Sequence, residues 1–100
     1  MSKTAKGTVV TSLPSLFQAK FIVDGIVRTY IATIDPPVAF KIGNATLSYD
    51  DEDQLTARGS HHGTIGTAIN LSLDKGPIIT GNLQQPVDPT DVTGGGTWHM

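Results

Sequence analysis

Arg28 is the charged residue most out of place in this chain. It stands in the run Leu16 to Ile34, where apolar and polar residues alternate, and the alternation assigns it to the apolar side with Phe21 and Tyr30. A guanidinium enclosed among apolar side chains grips a carboxylate or phosphate with two parallel N–H donors. Near a turn, the same side chain instead lays its stem over Phe21 and keeps its head in water or beside Asp24. Tyr30 and Tyr49 fall on the same kind of inward face. Arg28, Tyr30 and Tyr49 are therefore the candidate contacts for a small anionic ligand.

His61 and His62 are the neighbouring imidazoles. Adjacent residues on a strand point to opposite faces, so the pair reaches one metal ion only in a turn, with carboxylates from elsewhere. No H-x-H, H-x3-H or H-E-x-x-H spacing is present, and His61-His62-Gly63 reads as a solvated turn without metal. In an enzyme, one of the two is the expected general base, because imidazole titrates near working pH. Asp50-Asp51-Glu52-Asp53 supplies hard oxygens but lacks the calcium-loop pattern and its distal glutamate, so it reads as a solvated acidic turn. Gly63 to Gly66 and Gly94 to Gly96 match no nucleotide fingerprint, and neither a nucleophile elbow nor a phosphate loop occurs. No catalytic residue and no cofactor is assigned.

The elements that must position these groups are strands. Val, Ile and Thr make 29 of the 100 residues, whereas Glu occurs once and Ala seven times. Branched side chains suit a pleated surface and lose rotamer freedom in a helix. Charged residues are 16%, so Thr, Ser, Asn and Gln must solvate much of the surface, with eleven glycines and six prolines as punctuation.

Asp24-Gly25 is a type I′ hairpin pair, because both positions take positive φ. Pairing Val23 with Ile26 sets Phe21 against Arg28, Ala19 against Tyr30 and Phe17 against Ala32. A second hairpin is predicted over Val38 to Tyr49 around Gly43-Asn44, with Val38, Phe40, Ile42, Ala45, Leu47 and Tyr49 on one face. Weaker strands are predicted over Gln54 to Ser60, Gly7 to Leu13 and Pro77 to Leu83, and a long alternating strand over Thr64 to Leu73. The stretch 84–96 has no periodicity and reads as an irregular Pro/Gly-rich loop; Thr97-Trp98-His99 is a final strand pairing with the first, with Trp98 as a packed plug.

Strands at this spacing make one all-β domain over residues 1–100, an antiparallel meander closing into a barrel of about eight strands. A two-sheet sandwich is the alternative. The absence of cysteine excludes disulfides and thiolate chemistry, and a net charge of −2 gives no case for nucleic acid or an anionic membrane. With no signal peptide read at the start, localisation stays open between the cytoplasm and release without a classical signal. On the outer side of the first hairpin, Ile22 and Val27 stand opposite each other with Ile31 further along, an aliphatic patch expected to pair two copies in a homodimer. The expected function is a non-catalytic, self-associating binding or interaction module. The alternatives are a barrel enzyme (isomerase-, cyclase- or hydrolase-like) using a histidine or carboxylate with Arg28 and Tyr30, and a secreted effector or lectin-like module.

Overall fold

The structure, a computed structural model, describes residues 3–13, 15–56 and 58–99. Its strands are β1 (Lys3–Leu13), β2 (Leu16–Val23), β3 (Ile26–Thr33), β4 (Lys41–Tyr49), β5 (Arg58–Ile65), β6 (Ala68–Leu73), β7 (Ile78–Asn82) and β8 (Thr90–His99), with a 3-10 turn at Glu52–Leu55. They close into an antiparallel barrel in the order β1-β2-β3-β8-β5-β6-β7-β4. Closure leaves no sheet edge open to a foreign strand.

The order resolves into two equivalent halves. β1–β3 and β5–β7 are three-stranded meanders, and in each half the fourth strand returns beside the first, giving 4-1-2-3 and 8-5-6-7. Each half is a Greek key. The likeness extends to residues: Gly7 on β1 and Gly63 on β5 are both inward positions where a Cβ would collide with a neighbouring strand's carbonyl, that of Lys20 and of Asn70 respectively. In both halves that carbonyl belongs to the residue just before the glycine's partner, Phe21 or Leu71. A missing side chain lets the sheet bend sharply enough to close a small barrel.

The β2–β3 register is the one predicted, from Val23↔Ile26 through Phe17↔Ala32. Asp24 and Gly25 take φ of 51° and 79°, as a type I′ turn requires. Phe17, Phe21, Tyr30, Ile42, Leu47 and Ile69 are buried and fill the interior.

Elsewhere the local reading needs correction. Val38 to Tyr49 is not a hairpin: β4 runs unbroken, and Gly43-Asn44 forms a bulge where Gly7↔Ala45 shifts to Val9↔Ile42 on β1. A two-residue turn and a bulge both return Ile42 and Ala45 to one face, so the burial pattern did not tell them apart. The His61-His62-Gly63 turn is instead the middle of β5, and the real turn lies at Gly66-Thr67, pairing Ile65 with Ile69. Thr64 to Leu73 is thus the tip of a hairpin rather than one strand.

The strand predicted over Gln54 to Ser60 begins only at Arg58, with Ala57 outside the described residues. Before it, Asp51 caps the 3-10 turn and Gln54 reaches back to the cap's backbone. Finally, residues 90–96 of the predicted 84–96 loop belong to β8, and β8 pairs with β3 and β5, not with the first strand. Its inward positions 94 and 96 are glycines, which removed the alternation that marks a strand.

Candidate functional site

Arg28 and Tyr30 lie two residues apart on β3 and point inward together. Arg28 is 8% exposed. Its Nη1 donates to the Leu55 carbonyl at 3.2 Å, and its Nη2 lies 3.6 Å from Glu52 Oε1. Both partners come from the β4–β5 connection, which crosses this end of the barrel and seals it with the buried Leu55 side chain. The Arg28 Nε is buried without a partner. Tyr30 donates its hydroxyl to the Gly59 carbonyl at 2.6 Å, and its ring meets Trp98 on β8 at 5.0 Å between centroids. Burial, reinforced by the Asp74 carboxylate and opposed by a hydrogen bond from Gly96, pushes the Tyr30 phenol up to about 12. Trp98 is buried at the same end, as a plug should be.

Tyr49 also points inward, at the end of β4. No hydrogen bond or ring contact joins it to Arg28 or Tyr30 among the described residues. β1 and β2 lie between their strands on that side of the ring.

The two histidines part company. His62 is exposed on the outer face, while His61 is 3% exposed in the core. The His61 ring packs edge-on against Phe17 at 5.4 Å and Tyr30 at 6.2 Å. Its Nε2 is 2.7 Å from the Thr33 carbonyl. A carbonyl only accepts, so Nε2 carries the proton and Nδ1 is the bare acceptor, buried without a donor. Burial holds the imidazole below its usual pKa; the Thr33 bond opposes this and His62 adds to it. Among the described residues no carboxylate bonds either ring nitrogen.

Among the described residues no group of histidines and carboxylates is arranged to hold a metal ion. Asp51 directs a carboxylate oxygen to the Asp53 amide at 3.0 Å, capping the turn.

Depressions open on the outside of the barrel among the described residues. One of about 450 Å³ lies over Gly59 and Gly95, flanked by Arg58 and Asp74. Another, of about 660 Å³, lies between the crossovers near Phe40 and Gln85 at the opposite end. A third, of about 230 Å³, is an apolar groove bordered by Lys6, Lys20, Phe21, Ile22 and Val27. Ile22 and Val27 are directly opposite and 62% and 51% exposed; Ile31, paired with Gln18, is half-buried on the same side.

No family model, curated protein or solved structure matches this chain.

Sequence reasoning missed Glu52 and Leu55, which hold the Arg28 guanidinium. The only local signal was the spacing Asp51 to Gln54, a capping pattern that announces a helical turn where a strand was expected.

Proposed function

We propose that this chain is a non-catalytic β-barrel interaction module that self-associates through the outer face of β2 and β3. The observation that carries the reading is the directly opposed pair Ile22 and Val27, both more than half exposed beside an apolar groove. Ile26, paired with Val23, has inward parity but sits at the turn and is 50% exposed, so it is not part of this outer face. Large aliphatics gathered in this way mark an association surface more often than isolated ones do.

Charge placement favours a second copy as the occupant. Lys20 and Asp24, both exposed, stand two residues on either side of Ile22. A two-fold axis lying across the strands at the Ile22–Val27 pair sets Lys20 of one copy over the Asp24 turn of the other. Burying the exposed parts of Ile22 and Val27 stabilises by about 2–3 kcal/mol per copy before association costs. That supports a reversible, concentration-dependent dimer.

Sedimentation equilibrium tests it. The wild type should shift from monomer to dimer across the micromolar range, and Ile22→Lys should stay monomeric while folding normally. A wild type that remains monomeric at high micromolar concentration overturns the proposal.

A further inference from the structure

Arg28 is enclosed by the barrel with part of its hydrogen-bonding capacity unmet. A guanidinium carries five N–H donors. Among the described residues one of them bonds, to the Leu55 carbonyl, while Glu52 stands at 3.6 Å, beyond hydrogen-bond length. Nε is buried with no partner at all. The edge formed by Nε and Nη2 is the one that binds a carboxylate through two parallel bonds. Buried charges of this kind normally have their donors satisfied, so an unsatisfied edge points to an anion that completes it.

We infer that Arg28 is the anion-binding group of a site for a small apolar carboxylic acid, and that the Glu52 side chain occupies this site as a built-in, displaceable surrogate. Glu52 brings a carboxylate to the guanidinium, and Leu55, whose carbonyl accepts from it, is a buried aliphatic residue of the same turn, so a free ligand that suits both is an aliphatic carboxylate. The Glu52 side chain is 37% exposed and belongs to a four-residue turn, not to the barrel wall. Apart from the Arg28 bond, the side-chain hydrogen bonds tying this segment to the rest of the barrel are exposed ones with Lys75: Gln54 Nε2 to its carbonyl at 2.8 Å, and Lys75 Nζ to the Thr56 carbonyl at 3.1 Å. Tyr30 and Trp98, in ring contact, stand at the same end of the barrel. The site uses no residue of the Ile22–Val27 face and does not depend on self-association.

Hexanoate is the probe, and Trp98 fluorescence with calorimetry is the readout. The work is done at low micromolar protein in an Ile22→Lys background, so failure to dimerise and failure to bind stay separate. Glu52→Ala removes the surrogate carboxylate and should bind hexanoate saturably, at least tenfold more tightly than the parent. Adding Arg28→Lys, which keeps the charge but loses the two-pronged edge, should weaken that binding at least tenfold. Hexanol, with the same tail and no charge, should not compete. Binding no tighter in Glu52→Ala than in the parent overturns the inference, as does undiminished binding with Arg28→Lys. Should the lysine variant fail to fold, hexanol decides: binding equal to hexanoate excludes an anion site.

Discussion

Gly94 leaves open the space beside the His61 ring: a Cβ at that position would lie 2.8 Å from Nε2 and collide with the Thr33 carbonyl. The bond that sets the tautomer of His61 therefore depends on a glycine one strand away, its pairing partner on β8. Gly95, the next residue, meets nothing closer than 3.7 Å.

Alanine substitutions at these two neighbours should accordingly diverge. Gly94→Ala forces β8 or the imidazole to move, and overpacking of this kind costs about 1–3 kcal/mol, or more where backbone is displaced. Gly95→Ala should change stability by less than about 0.5 kcal/mol, as surface substitutions do. Urea denaturation midpoints decide it, and equal losses would contradict the assigned facing of β8.

His61 should make the barrel acid-sensitive. Its pKa is lowered from 6.5 in the fold, so the unfolded chain takes up the proton first. Stability is then complete above the unfolded value and falls as pH drops below it, by up to about 1.4 kcal/mol per pH unit for one proton. Of the groups around the ring, Tyr30 stays neutral in this range, and the neighbouring His62 further disfavours the charged form of His61. His61→Gln should flatten the loss between pH 7 and 5. Parallel stability curves for the two proteins would show that His61 is not its source.

Tyr30 acts at the other end of the scale. Its phenol is raised from 10.0 to about 12, so the unfolded chain ionises first and stability falls as pH rises through that interval, by about 2–3 kcal/mol. Tyr30→Phe loses the bond to Gly59, at a cost of about 1 kcal/mol near neutrality. The difference from wild type should shrink or reverse above pH 10. A constant difference from pH 7 to 11.5 would count against the burial of the hydroxyl.

Leu55 is 1% exposed although it lies in a connection. Leu55→Ala should cost about 2–4 kcal/mol, as a core truncation does, in contrast to a loss below about 0.5 kcal/mol for Ile22→Ala on the outer face. Thermal or urea unfolding of the two variants compares them directly. Similar small losses would mean that the 50–56 segment does not seal the barrel.

The candidate site was legible in part. That Arg28 and Tyr30 point inward followed from the parity of the first hairpin, since Asp24-Gly25 pins the register and every second residue then shares a face. The partners of Arg28 were not legible, because Glu52 and Leu55 reach it across the barrel from a segment 24 to 27 residues later in the chain. The histidines were misplaced for a local reason. Gly63 between His62 and Thr64 resembles turn punctuation, whereas its bare Cα serves a bend inside β5.

By itself the sequence determined the strand-rich character of the chain, the turn at Asp24-Gly25, and which face of each well-alternating segment is buried. These follow from side-chain shape, turn dihedrals and a period of two, all properties of a few consecutive residues. Tertiary structure alone decided which strands pair, that two Greek keys close one ring, and that β8 lies between β3 and β5. It also decided that Glu52 and Leu55 close over Arg28. Backbone ladder bonds are nearly indifferent to side-chain identity, so strand order is settled by which closure buries every inward face at once.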